Sequence, residues 1–216
     1  MKKIFVYNND SKGLETYYLN GNDYMPYNAN NTLTVDEFAP DSNLLWTTTN
    51  AMKAYNNTMN LYPNLILTKA FSDLDDPRWI SEESHAGGTA FDFEIKNGTP
   101  QDYLNIHREL LNSEIWPNIM DIEHTKDYIH VDQDYTYDAC DYSRYPLLKQ
   151  NDTNTYVLVL QRALSSLGYL TPSQINGIYD YATINAVKQF QFNAGLTNDG
   201  IMGCNSWLAL TYHLTH

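Results

Sequence analysis

Long apolar runs, basic charge and cysteine are all scarce in this 216-residue chain. No apolar stretch approaches the roughly 20 residues that a membrane-spanning helix needs, so insertion into a bilayer is not expected. Lysine and arginine number 13 against 26 aspartates and glutamates, a net charge of -13. That balance argues against a nucleic-acid partner, whose phosphates demand a basic face. The opening MKKIFVYNND carries two lysines but only a short apolar stretch before Asn8, and does not read as a signal peptide. The two cysteines, Cys140 and Cys204, allow one bridge at most. Formed in an extracellular setting, it would bracket the C-terminal half and contribute about 4 kcal/mol on a loop-entropy account. The alternative is a pair of free, half-buried thiols.

Charged residues make up only 18% of the chain, yet there are 24 Asn and 18 Tyr, so its polarity is largely uncharged. Many aromatics and few charges favour an ordered fold over disorder. The length suits one large domain or two small ones. Charge divides the chain in two. Residues 1–139 carry 22 acidic and 9 basic side chains, whereas residues 140–216 carry four of each. A neutral C-terminal half must hold any partner through shape and hydrogen bonds.

That half contains an internal repeat. NGIYDYATINAV from Asn176 and DGIMGCNSWLAL from Asp199 share Asx-Gly-Ile, then a hydroxyl residue (Thr183, Ser206), then alanine (Ala186, Ala209) and an aliphatic (Val187, Leu210), with a period of 23 residues. Each copy reads as a tight turn followed by a helix, because glycine accepts positive φ and asparagine or aspartate closes the turn. Ile184, Val187, Phe190 and Ala194 recur at helical spacing and stop at Gly195. Val157, Leu160, Leu164 and Leu167 form an earlier helix that stops at Gly168. Three short helices around a small apolar centre are expected.

The run VLVLQRALSSLGYL, then NGIYDYATINAVKQFQFNAGL, then NDGIMGCNSWLAL, resembles the peptidoglycan-binding domain found at the ends of many wall hydrolases. The resemblance spans about residues 145–212 and includes the LQ, LGY, AVKQFQ and GL elements and the second Asx-Gly turn. Asn176 stands where that family usually has Asp, and Asp180 where it usually has Gly, so the first loop departs from the pattern while the helices do not.

In the N-terminal half, residues 3–8 and 14–19 flank a polar turn and read as a β-hairpin. Residues 44–62 read as a helix with Met52, Tyr55, Met59 and Tyr62 on one face, stopped by Pro63, with a strand from Leu65 to Thr68. A second helix opens at Thr99-Pro100, with Asp102 completing a capping box, and runs to about Asn112. Strand-like segments follow at 89–95, 117–122 and 128–132. The mixed order suggests α+β architecture.

Among the six histidines, His107, His124, His213 and His216 read as surface or satisfied residues. His85 and Asp92 frame HAGGTAFD, and His130 sits in DYIHVD. Two imidazoles and a carboxylate are a zinc donor set that leaves one position open. The glycines after His85 permit a sharp turn. The strand that follows can carry Asp92 back beside His85, with His130 supplied by a neighbouring strand.

SHAGGTAFDF resembles the S-H-x-x-G-x-A-x-D signature of D-Ala-D-Ala carboxypeptidases and L-alanyl-D-glutamate endopeptidases, which share a zinc fold with the lysostaphin and hedgehog signalling domains. DYIHVD resembles their second element, in which an acidic residue precedes the last histidine by three. The resemblance covers about residues 35–135 and is strong at these two elements. It implies one zinc ion on His85, Asp92 and His130, with Asp127 as general base. Three residues separate Asp127 from His130, so Asp127 has to lie at the strand entrance; otherwise Glu123 or Asp132 takes its place. The family's upstream arginine is missing, since LTKAFSDLDD occupies its place. Lys69 or Arg78, with Ser84, are the candidate substrate-binding residues; Lys69 and Arg78 read equally as surface charges balancing Asp73, Asp75 and Asp76.

The expected organisation is a zinc metallopeptidase domain at 1–139, a linker at 140–153 and a peptidoglycan-binding domain at 154–216. The expected protein is a monomeric cell-wall hydrolase of the endolysin type, acting outside the membrane after signal removal or after release through a phage-made membrane lesion. It would cleave a peptide bond in the peptidoglycan stem or crosslink. Two alternatives stand beside it: a non-catalytic wall-binding protein with a degenerate peptidase domain, and glycan cleavage by paired carboxylates.

Overall fold

The computed structural model describes residues 1–74, 83–119, 127–133 and 145–216. Strands β1 (Lys2–Asn8) and β2 (Gly13–Leu19) form the expected antiparallel hairpin. A short helix, α1 (Val35–Phe38), follows under a full capping box from Thr34 and Glu37. Residues 44–62, expected as one helix, divide. Leu44–Thr48 is strand β3, parallel to β1, and only Thr49–Leu61 is helix α2. The division falls at Thr48, whose hydroxyl accepts from the Ala51 amide and caps α2. Leu45, Trp46 and Thr47 are all buried, as suits a strand covered on both faces.

A second, four-stranded sheet has the order β4-β5-β7-β6, formed by β4 (Leu65–Lys69), β5 (Ala90–Ile95), β7 (Ile129–Asp132) and the short β6 (Asn118–Ile119). Helix α3 (Glu83–Ala86) precedes β5, and α4 (Pro100–Ser113) follows it under the Thr99/Asp102 capping box. Alternation along β5 and β7 assigns two faces. Phe91, Phe93, Ile129 and Val131 are fully buried, and the rings of Phe91 and Phe93 lie 5.1 and 6.1 Å from that of Tyr55 on α2. Asp92, His130 and Asp132 occupy the other face. The arrangement is α+β.

The C-terminal half has three helices, α5 (Thr155–Ser166), α6 (Tyr181–Asn193) and α7 (Cys204–Thr215). Its 23-residue repeat has a physical basis in two buried glutamines. Gln161 Nε2 donates to Asn176 Oδ1, the Ile178 carbonyl and Thr183 Oγ1 at 2.8–3.0 Å, while its oxygen accepts from the Asn176 and Gly177 amides. Gln191 repeats the pattern on the second copy, donating to Asp199 Oδ1, the Ile201 carbonyl and Ser206 Oγ and accepting from the Gly200 amide. Each glutamine thus grips one Asx-Gly turn and the first turn of the helix behind it.

The stretch expected as a linker, 140–153, is structured where it is described. Tyr145 is fully buried and stacks on Trp207 at 4.4 Å, and the Trp207 indole donates to the Pro146 carbonyl. Leu148 and Met202 exchange both backbone hydrogen bonds. From Tyr145 onward this segment is an edge of the C-terminal fold. Its aromatics and Leu148 find burial there, which a solvated linker would deny them. Buried hydrophobics of both halves form one continuous cluster.

Replacing Gln161 or Gln191 by leucine leaves several buried turn groups without partners, each costing about 1–3 kcal/mol. Each variant should lose about 3 kcal/mol in urea unfolding of the full chain. Losses below about 1 kcal/mol in both would show that the turns do not depend on these side chains.

Candidate metal centre

The sharp return from α3 into β5 is made by Gly87 and Gly88. Gly88 has φ +68°, and a Cβ there would lie 2.0 Å from the Trp46 carbonyl oxygen, so only glycine fits. The Gly88 amide donates to the His85 carbonyl at 3.0 Å, and the Thr89 amide and hydroxyl both donate to the Ser84 carbonyl. Strand β3 fixes this turn from the far side. Trp46 Nε1 donates to the Ala86 carbonyl at 2.7 Å and Thr47 Oγ1 to the Gly88 carbonyl at 2.8 Å.

Asp92 and His130 are directly opposite each other in the β5–β7 register, and the turn brings His85 beside them. One ligand atom from each of the three residues lies within 4.8 Å of the others. His85 Nδ1 is 3.1 Å from the Ala70 carbonyl, which can only accept, so Nδ1 carries a proton and Nε2 is the nitrogen left facing the cluster. That Nε2 is buried and has no hydrogen-bond partner; Asp92 Oδ1 is 3.3 Å away but outside hydrogen-bond geometry. A ring nitrogen and a carboxylate oxygen facing each other in a buried site are unfavourable unless a proton or a cation lies between them. His130 Nδ1 donates to Asp92 Oδ1 at 2.7 Å, and its Nε2 points at Asp132 Oδ2, 3.5 Å away. Asp132 is itself held by Asn118 Nδ2 at 2.8 Å.

These contacts set the protonation of the ion-free chain. Burial pushes the Asp92 carboxyl up, but the hydrogen bond and charge of His130, with His85 close beside it, outweigh it and hold the carboxyl well below the usual range. Burial pushes the His130 imidazole down, but Asp132 and Asp92 outweigh that and raise it to about 9. The residues fit a metal ion. Two imidazoles and a carboxylate are present, His85 presents an unpartnered nitrogen, and the Ala70 carbonyl and Asp132 orient the two rings from behind, as outer partners of metal ligands do.

The other candidates are placed as follows. Asp127 is exposed in a turn two residues ahead of β7, before the strand's alternation begins. Ser84 is buried in α3. Lys69 stands opposite Asp92 in the β4–β5 register because a bulge falls between Leu67 and Lys69. Unbroken alternation would have put Lys69 on the face of Leu65 and Leu67; the bulge puts it on the face of the cluster. Arg78, Glu123, His124 and Cys140 lie outside the described residues. Cys204 is disulfide-bonded, and Cys140 is the only other cysteine of the chain. His107 is buried on α4, while His213 and His216 are exposed on or beside α7. The sequence did not reveal the orienting parts, the Ala70 carbonyl and Asn118. A backbone acceptor leaves no trace in residue type, and a lone asparagine in an Asn-rich chain is no signal.

Comparison with known proteins bears on the C-terminal half. The family described as "Putative peptidoglycan binding domain" matches residues 153–210. A stretch of 68 residues is 40% identical to the "Uncharacterized protein in bpoA1 3'region" of Kitasatospora aureofaciens, and covers 31% of this chain and 57% of that protein. A 68-residue match to the carboxy-terminal processing protease CtpA of Bacillus subtilis is 38% identical and covers 29% of this chain and 14% of that protein. The matches thus span less than two thirds of either relative. No solved structure matches significantly. Residues 153–210 are a peptidoglycan-binding domain, and peptidoglycan is the partner this supports.

Two outcomes are expected of the site. The His130 imidazolium is favoured in the folded, ion-free chain, so its stabilisation is complete below pH 6.5 and is lost as pH rises through about 9. The melting temperature of chelator-treated protein should therefore fall between those values, and His130→Asn should flatten the slope; a flat wild-type profile contradicts the assignment. Gly88→Ala should cost about 3 kcal/mol or more, from the φ and the collision with β3 together. A Gly88→Ala chain that melts like wild type would rule out that constraint.

Proposed function

We propose that the protein is a zinc-dependent peptidase that cuts a peptide bond in the stem or crosslink of peptidoglycan, with its C-terminal domain holding it on the wall. The observation that carries this reading is the buried, unpartnered Nε2 of His85 facing Asp92 and His130. His85, Asp92 and His130 would hold the ion. When bound, zinc supplies Lewis acidity, polarising a carbonyl and making water a better nucleophile near neutral pH.

The chain's own groups do the rest. Asp127, at the mouth of β7, takes the proton of the attacking water and delivers it to the leaving amine. Asp132 is less suited to that task, because Asn118 engages one of its oxygens and the other faces His130 Nε2. It orients the ring instead. Lys69, turned to the cluster face by the bulge, supplies positive charge for a substrate carboxylate, as a point charge rather than the fork of an arginine. Wall attachment raises the local concentration of substrate at the site. Among the described residues no helix is long and apolar enough to cross a membrane, in keeping with action at the wall.

The test combines metal analysis with mass spectrometry of products from a defined muropeptide. One zinc per chain and a new amine and carboxyl pair at one peptide bond are expected, both abolished by His85→Ala and the cleavage by chelation. Asp127→Asn should keep the zinc and lower turnover by about 10²–10⁴-fold. Zinc binding without cleavage of walls or muropeptides would leave a wall-binding protein with an inactive domain. Cleavage that survives chelation and His85→Ala would point to glycan chemistry.

A further inference from the structure

The peptidoglycan-binding domain does not hang from the rest of the chain; its first helix closes the back of the turn that carries His85. A Cβ on Gly87 would lie 2.9 Å from Cζ and 3.0 Å from Oη of Tyr156, so the tip of that ring rests directly on the Gly87 backbone, two residues after His85. Tyr156 is itself buried, with its ring edge-on to Tyr145 at 6.0 Å. Val159 and Arg162, at successive three-residue steps along the same helix, line a small cavity with Trp46, Ala86 and Asp73. Arg162 Nε pairs with Asp73 Oδ1 at 3.3 Å, and Ser42 Oγ donates to the other Asp73 oxygen at 2.8 Å.

This face of α5 therefore bears on both pieces of chain that fix the His85 ring. One is the 84–88 turn, touched through Gly87. The other is the segment from Ala70, whose carbonyl accepts from His85 Nδ1, to Asp73, where Arg162 holds it; between them the Ser72 amide donates to the His85 carbonyl at 3.3 Å. A third contact lies further off, where a Cβ on Gly177 would meet Leu14 at 2.6 Å. Glycine at position 87 admits the aromatic ring, whereas glycine at 88 is demanded by φ and by β3.

We infer that Tyr156 is a positioning residue for the metal cluster, and that the peptidoglycan-binding domain is a structural wall of the metal site as well as a tether. The inference rests on the metal reading of His85, Asp92 and His130 and adds to it a residue from outside the domain that holds them.

Two measurements on the full chain test it. In the ion-free protein, hydrogen exchange at the Gly88 and Thr89 amides, which close the turn onto the His85 and Ser84 carbonyls, should quicken about tenfold in Tyr156→Ala and return in Tyr156→Phe, with α6 amides unchanged as the folding control. In cobalt titrations, Tyr156→Ala should weaken binding about 10–100-fold and alter the visible cobalt spectrum, the scale seen when outer support of a ligand is removed, and Tyr156→Phe should restore both. Should the alanine chain fail to fold, Gly87→Ala drives a methyl group into the same ring and should move both readouts the same way. Wild-type exchange and wild-type cobalt affinity in Tyr156→Ala, or in Gly87→Ala where that variant stands in, overturn the inference. A wild-type chain that takes up no metal instead sinks the metal reading, while the exchange experiment still decides whether Tyr156 holds the turn.

Discussion

The contact between Gly88 and strand β3 is the constraint on which the rest of this structure depends. The backbone at Gly88 approaches the Trp46 carbonyl so closely that no side chain fits, and it does so at a φ only glycine adopts without strain. From that contact the Trp46 indole and the Thr47 hydroxyl reach the Ala86 and Gly88 carbonyls. The turn then has one orientation, and His85 is delivered to the row that Asp92 and His130 already form across the sheet. The ring comes from one sheet's neighbourhood and its two partners from the other, so the cluster exists only where the two sheets are held together.

The electrostatics of that cluster follow from burial. A carboxylate and two imidazoles removed from water must satisfy one another or an ion. In the ion-free chain His130 does so by retaining its proton between Asp92 and Asp132, while His85, committed through Nδ1 to Ala70, has no hydrogen-bond partner at Nε2. The cluster is thus balanced on the His130 side and left with an unpartnered nitrogen on the His85 side. On the proposed metal reading a cation would resolve that imbalance and displace a proton from His130, which would link its uptake to pH.

The C-terminal domain, besides its match to a peptidoglycan-binding family, contributes rigidity. Two buried glutamines lock its turns, and Tyr145 stacked on Trp207 locks its entry, so α5 is a fixed surface rather than a mobile one. That fixed surface presents Tyr156 to the HAGG turn and Arg162 to Asp73. The helix that opens the C-terminal domain thus also lies against the turn that carries His85.

Much of this was legible in residue order. The hairpin, the capped helix α4, the three C-terminal helices and the 23-residue repeat all announce themselves through local periodicity, glycine stops and caps, which act over a few residues. The two short strings around His85 and His130 singled out the cluster's three residues. Residues 44–48 did not read as a strand, because their burial between neighbours, rather than their own pattern, decides their state. The bulge that turns Lys69 to the cluster face is equally silent in sequence, since one inserted residue reverses every face assignment after it. Leu158 and Val159 were a missed signal: α5 has more apolar positions than one helix face requires, and a helix buried on all sides has a second partner. Sequence by itself thus determined most of the elements and which three side chains form the cluster, because those depend on local propensity and residue type. Tertiary structure alone decided that His85 meets Asp92 and His130 with an unpartnered nitrogen, and that Tyr156 from a separate domain rests behind it, because both depend on contacts between segments far apart in the chain.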